Sequence, residues 1–270
     1  MPIRVLKAWA EFRACEEIQR EVWGNIACSA ELLGVTQKYG GAVLGAMVQG
    51  EIAGFLFAFL ARRHGRLIHW SHLMAVRTRF RDRGLGYRMK LRHRRLALEQ
   101  GIRSIGWTYD PLESRNALLN IHRLGARIEE YIPNCYGDFP SRIEKGLPSD
   151  RLVACWPLTS RQVELRLRGK TALKLDLSSP CVNQTRVISG GFLENRKITW
   201  NLSARWLRLE IPGNTDAMRS RAIELARRWR LETRKIFQHY FALNYQVVDF
   251  VRAPQDGQER FFYVLSRGRP

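Results

Sequence analysis

The chain has 270 residues and a mass of 31.4 kDa, with 45 Lys+Arg against 25 Asp+Glu, which gives a formal charge of +20 and a pI near 10.6. With 45% apolar and 10% aromatic residues it carries the material of a packed core, which excludes a generally disordered chain. At about 100–200 residues per domain, the length fits one large or two smaller domains.

Residues Trp9 to Trp23 predict an amphipathic helix, with Phe12, Ile18 and Val22 apolar and Glu16, Glu17, Gln19 and Arg20 on the wet face. The stretch 41–61 is mostly apolar, yet Gln49-Gly50-Glu51 interrupts it and glycines recur through it. Two strands, near 42–48 and 52–61, joined by a tight turn account for it better than a membrane span, and no membrane partner is expected. A third strand, 67–76, follows the turn at His64-Gly65. Residues 77–86 are basic and glycine-bearing. A helix over 87–100 ends at Gly101, a strand over 103–109 stops at Asp110-Pro111, and a helix over 113–124 ends at Gly125. Strands are predicted near 126–131 and 151–158, with 133–150 a loop. This order predicts an α/β or mixed α+β unit with at least one parallel strand pair.

The boundary falls near 158/159. Beyond it, alternating Val163, Leu165 and Leu167 and then Leu173, Leu175 and Leu177 predict strands. A strand over 206–211 meets Pro212-Gly213, a long helix runs from Asp216 to Ala242, and strands follow at 245–251 and 260–265. The order strand, proline, helix, strand, strand echoes 103–158 as a partial internal repeat. Charge does not separate the halves: residues 160–270 hold 21 Lys/Arg and 10 Asp/Glu. The cysteines, Cys15, Cys28, Cys135, Cys155 and Cys181, are odd in number and include no CxxC pair. Neither a disulfide framework nor a zinc site is expected, and with no signal-peptide pattern at Met1-Pro2-Ile3-Arg4 the expected setting is reduced and cytoplasmic.

The informative segment is Ala75-Val76-Arg77-Thr78-Arg79-Phe80-Arg81-Asp82-Arg83-Gly84-Leu85-Gly86-Tyr87: a strand, an R-x-x-G-x-G turn and a helix start. Glycines there let the backbone approach a ligand, and first-turn amides point outward at the positive end of the helix dipole, a pyrophosphate site strengthened by the arginines. The chain has no GxxxxGK[ST] sequence, and the turn follows a third strand without the GxGxxG of a dinucleotide fold.

The run strand, V-x-x-x-x-R-x-x-G-x-G, helix, strand, then an Asn-bearing helix ending in Leu-Gly resembles the GNAT superfamily of acyl-CoA N-acyltransferases over about 1–158. The runs 107–126 and 228–250 are similar to a predicted GNAT subgroup of unassigned substrate. The resemblance implies a GNAT-like acyl-CoA-binding domain over 1–158 with a smaller α+β unit over 159–270. It implies acetyl-CoA or another acyl-CoA as cosubstrate, no metal, and a small-molecule or peptide amine as acceptor. Backbone groups of Met74, Ala75 and Val76 would meet the pantetheine arm, and amides of Arg81, Asp82, Arg83, Gly84, Leu85, Gly86 and Tyr87 would cradle the pyrophosphate. Asn116 would contact the pantetheine side. Where many members carry a strand Glu as base this chain has none, and His72, sharing strand parity with Met74 and Val76, is the candidate catalytic base. The tyrosine expected as thiolate acid is replaced by Ile121, beside His122.

Plainer readings stand beside these. Gly84 and Gly86 also suit an ordinary strand–helix turn, His72 and His69 suit hydrogen-bonded core histidines, and Trp70 and Trp107 suit core. The basic residues Arg88, Lys90, Arg92, Arg94 and Arg95 suit a solvated helix face. Two other functions stay open: a CoA-binding module without catalysis, and a nucleic-acid-binding protein, which the +20 charge motivates although no helix-turn-helix, RNP or zinc pattern occurs. The second unit would complete a shared sheet, form a homodimer or shape the acceptor pocket.

Overall fold

The structure is a computed structural model and describes residues 1–25, 27–137, 146–170, 178–255 and 257–268. It is mixed α/β. The described chain divides into two compact units, one built on 1–107 and 157–159, the other on 108–137, 146–156 and 160–268. Residues 108–137 and 146–156 fall in the same compact unit as the later part of the chain.

The first unit contains β1 (Ile3–Val5), α1 (Trp9–Trp23), α2 (Ala30–Lys38), β2 (Ala42–Val48), β3 (Glu51–Arg63), β4 (Arg66–Val76), α3 (Leu85–Glu99) and the start of β5 (Ser104–Tyr109). The strands lie in the order β1-β2-β3-β4-β5, antiparallel up to β4 and parallel between β4 and β5. Both hairpin turns have two residues with positive φ, Gln49-Gly50 and His64-Gly65, matching the right-handed twist of the strands they join. The apolar stretch 41–61 is therefore the β2–β3 hairpin. Among the described residues no helix is long and apolar enough to cross a membrane.

β2 and β3 are buried at consecutive positions because helices cover both faces. On one face Phe12, Cys15 and Ile18 of α1 and Leu33 of α2 pack with Val43, Phe55, Phe57 and Ala75. On the other, Leu85 and Met89 of α3 pack with Leu44, Ala46, Leu56 and Ala58. Side chains such as Phe55, Phe57, Leu44 and Leu56, at most 1% exposed, each contribute about 1.5–3 kcal/mol relative to exposure. Helix α2 was not anticipated. Ser29 starts it by accepting a hydrogen bond from Leu32 N at 3.3 Å.

In the second unit α4 (Ser114–Ala117) continues into a π-helical stretch, Leu118–Arg123, and leads to the antiparallel pair β6 (Arg127–Ile132) and β7 (Arg151–Pro157). Then come α5 (Arg161–Leu167), the hairpin β8 (Asn183–Val187) and β9 (Leu193–Ile198), and β10 (Trp206–Ile211). Helices α6 (Thr215–Arg221) and α7 (Ile223–Ala242) precede β11 (Tyr245–Gln255) and β12 (Gln258–Arg267). β10, β12 and β11 form an antiparallel sheet in that order. Phe237 of α7 anchors the core, 5.2 Å from the Tyr263 ring and 5.5 Å from Tyr131.

Two expectations for this unit need correction. Val163, Leu165 and Leu167 lie in α5, not a strand: Ser160 caps it, and only Val163 and Arg166, three residues apart, are buried. The long helix over 216–242 breaks at Ala222 (φ −150°, ψ 62°) into α6 and α7. The hairpin β8–β9 was not foreseen. Leu173, Leu175 and Leu177 lie outside the described residues.

The internal echo has a structural counterpart. Leu124-Gly125 and Leu243-Asn244 each precede a strand, with φ of 72° at Gly125 and 63° at Asn244. Each following strand, β6 and β11, pairs antiparallel with its successor and bulges at the corresponding place, after Ile128 and after Val247.

Candidate functional site

The R-x-x-G-x-G turn begins where β4 ends. Phe80, 5% exposed, anchors a 3-10 turn over Thr78–Phe80. The chain passes through a left-handed residue at Asp82 (φ 61°) and another at Gly84 (φ 70°), the N-cap of α3. Gly84 offers no side-chain cap, and a Cβ there would meet nothing within 4 Å. Leu85 and Met89 bury themselves against the sheet and fix the axis of α3. The start of the helix is thus held from behind and open in front, as anion binding by main-chain amides requires.

The arginines around this turn are of two kinds. Arg77 pairs with Glu21 at 2.5 Å and Glu17 at 3.7 Å, and Arg79 pairs with Glu51. Arg81 gives Nε to the carbonyl of Val76 at 3.3 Å, and Arg83 lies over the Phe80 ring at 5.4 Å. Among the described residues neither Arg81 nor Arg83 has a carboxylate partner. Both are exposed and add positive potential near the turn.

The parallel pairing of β4 with β5 comprises two residue pairs, His69 with Ile105 and Trp70 with Gly106. Among the described residues, 71–76 pair along β3 only, and the far edge of β4 carries no ladder there. Between Ser71 and Leu73 the register against β3 shifts by one residue, making His72 a bulge. This corrects the parity expected for His72. Met74 and Val76 pack on the α3 face, whereas Leu73 and Ala75 pack on the α1 face. His72 joins the latter, 6.2 Å from the Phe57 ring and 5.7 Å from Phe59. The extra residue places consecutive side chains, His72 and Leu73, on one face. Burial among these rings lowers the pKa of His72, so the imidazole is neutral at neutral pH. Among the described residues neither ring nitrogen has a hydrogen-bond partner.

Of the other predicted residues, Met74 and Val76 are half-buried and Ala75 is buried. Arg81, Asp82, Arg83 and Gly84 are exposed, Leu85 is buried, and Gly86 and Tyr87 are half-buried. Asn116 is exposed on α4 in the second unit. Ile121 is buried. His122 Nδ1 lies 3.2 Å from the buried carboxylate of Asp249, which Arg166 also holds. An open cavity of about 810 Å³ in the second unit, lined by Phe192, Arg221, Leu225 and Arg228 among others, includes none of the predicted site residues.

His69 is a hydrogen-bonded core histidine. Its Nε2 faces the carbonyl of Gly40 at 3.1 Å and must donate, so its Nδ1 accepts from His93 Nε2 at 2.9 Å. Sequence reasoning missed Lys90, which lies not on a solvated face but 2% exposed beneath the sheet. Its Nζ donates to Ser71 Oγ at 3.1 Å and sits 3.7 Å from the centre of the Trp107 ring. Burial brings its pKa down to about 7. The signal was present: Leu85, Met89, Lys90, His93 and Ala97 keep helical spacing and are the buried positions of α3.

No family model matches the chain, and no curated protein matches it. Solved structures of similar trace include a GNAT-family acetyltransferase from Streptococcus pneumoniae (18% identity, 57% of this chain and 96% of that one, TM-score 0.47). Another is the ribosomal-protein-alanine N-acetyltransferase from Brucella melitensis (17%, 57% and 98%, TM-score 0.47). A third is an aminoglycoside 6'-N-acetyltransferase complexed with coenzyme A (16%, 60% and 99%, TM-score 0.46). At such values the likeness is one of chain trace over little more than half the protein, and the functional reading rests on this chain's own residues.

Proposed function

We propose that the protein is an acyl-CoA-dependent N-acyltransferase that moves an acetyl group from acetyl-CoA to an amine. The observation that carries this reading is the open start of α3, capped by Gly84 and flanked by the unmatched Arg81 and Arg83, at the end of a strand whose far edge is unpaired. Main-chain amides and these two arginines would hold the pyrophosphate. The free edge of β4 over 71–76 would pair with the pantetheine arm as a strand would, and one of its N–H groups would stabilise the oxyanion.

In the reaction the amine nitrogen bonds to the acyl carbon and the carbon–sulfur bond breaks. His72 takes the proton that the amine gives up and, as the imidazolium, returns it through water to the leaving thiolate, which ends as a thiol. His72 suits that task because burial keeps it neutral and, among the described residues, nothing engages either ring nitrogen. Positioning of the two reactants supplies much of the remaining acceleration.

Titration calorimetry with acetyl-CoA tests the reading. Binding at micromolar to millimolar concentration is expected, and its absence in folded protein would end the proposal. Gly84→Asp, which puts a carboxylate and a strained left-handed side chain at the helix start, is expected to weaken binding at least about 100-fold without unfolding the chain. Thiol release with a panel of amines then separates an enzyme from a CoA-binding module.

A further inference from the structure

Lys90 is costly where it stands. It is 2% exposed, and among the described residues no carboxylate pairs with it. The titratable group beside it is His93 on its own helix, which is hydrogen-bonded in turn to His69 on β4, and burial lowers the pKa of both histidines. A methionine would fill much the same volume without an amine to desolvate. The contacts of the amine locate its role. The last paired residues of β4 and β5 are Trp70 and Gly106. The next residue on each strand, Ser71 and Trp107, is what the Lys90 Nζ touches, at 3.1 Å and 3.7 Å.

We propose that Lys90 is a positioning residue that ties β4 to β5 just where their backbone ladder ends, and so sets how far the free edge of β4 opens for the acyl-CoA arm. The amine does across the fork what a third ladder pair would do, by a hydrogen bond to one strand and a cation–π contact to the other. Ser71 also precedes the bulge at His72, so the tie fixes the root of the segment that carries the candidate base. The part concerning the acyl-CoA arm rests on the transferase reading; the tie itself does not.

Lys90→Met and Ser71→Ala test it, each first shown to be folded by circular dichroism. Amide hydrogen exchange over 71–76 is expected to quicken at least about tenfold in Lys90→Met, with β1 and β2 unchanged, because the strand edge loses its anchor. The KM for acetyl-CoA is expected to rise about tenfold while kcat changes less than about twofold. Ser71→Ala should move both in the same direction by less. Unchanged exchange over 71–76 in folded Lys90→Met, or quickening spread evenly over the first unit, would overturn the tie. A loss in kcat at constant KM would overturn its role in admitting the cofactor. If the unaltered protein binds no acetyl-CoA, the transferase reading fails while the exchange measurement still decides the tie.

Discussion

The two units treat charge in opposite ways. In the second unit every buried carboxylate is met by an arginine. Asp110 faces Arg230 through two bonds of 2.7 and 2.5 Å, with Arg219 at 3.4 Å. Asp150 binds Arg234 and Tyr131, Glu210 binds Arg260, and Asp249 binds Arg166. Among the described residues of the first unit, four basic groups around β4 have no carboxylate partner: Arg81 and Arg83 at the turn, His72 at the bulge, and Lys90 beneath the fork. Paired charge of this kind holds a structure together, and unpaired charge is expensive unless something else completes it. The contrast fits a scaffold role for the second cluster and the ligand-handling role proposed for the first.

The largest expected effect lies in the scaffold. Burial would raise the Asp110 carboxyl, but Arg230 and Arg219 outweigh it and bring its pKa down to about 2. Asp110→Ala leaves two buried guanidinium groups without that partner and is expected to cost about 3–5 kcal/mol in urea unfolding. A loss below about 1 kcal/mol would remove the scaffold side of the contrast.

Next comes His72→Ala, which is expected to lower kcat about 100-fold and to leave acetyl-CoA affinity within about twofold. Because burial lowers the His72 pKa, the acid limb of the rate profile should lie below the ordinary histidine value and vanish in the variant. An unchanged rate would dismiss His72 as base.

How much of this contrast is legible in the sequence depends on what each residue's neighbours reveal. The β2–β3–β4 meander is legible because Gln49-Gly50 and His64-Gly65 punctuate apolar runs, and the turn is legible because glycine and arginine are local signals. The face of His72 is not, since a bulge follows from the pairing of two strands and leaves no local mark on either. Lys90 reads as solvent-facing when grouped with Arg88, Arg92 and Arg95, and as buried only when its phase with Met89 and His93 is counted. α5 misleads because Val163, Leu165 and Leu167 alternate as a strand would, while Ser160 and the burial of Arg166 decide for helix. Asp110 and Arg230 are 120 residues apart in sequence, and no spacing rule connects them.

A smaller effect tests whether Lys90 is unmatched in the sense argued. Its folded pKa is near 7, below the unfolded value of about 10.4, so between those limits the unfolded chain binds more protons and stability rises with pH. Below pH 7 the penalty is present in full. Lys90→Met is therefore expected to be more stable than the unaltered protein by about 1–2 kcal/mol at pH 6–7, after the lost contacts to Ser71 and Trp107 are counted. The advantage should shrink toward pH 10. A constant difference across that range would show that the amine is not desolvated at a cost.

The smallest effect is the sharpest test, because it compares two arginines four residues apart. Arg79 and Arg83 are both exposed and both lie over the Phe80 ring, at 4.9 and 5.4 Å, but Arg79 is matched by Glu51 and Arg83 is not. If unmatched charge at the turn serves the pyrophosphate, Arg83→Ala should weaken acetyl-CoA binding about threefold to tenfold at low salt, and Arg79→Ala less than about twofold. The gap should narrow toward 1 M salt, where the screening length falls to about 3 Å. Equal losses from the two substitutions would mean that the turn reads only the summed charge of its surroundings. The distinction between paired and unpaired arginines would then have no functional content, and the main-chain amides at Gly84 would carry recognition alone.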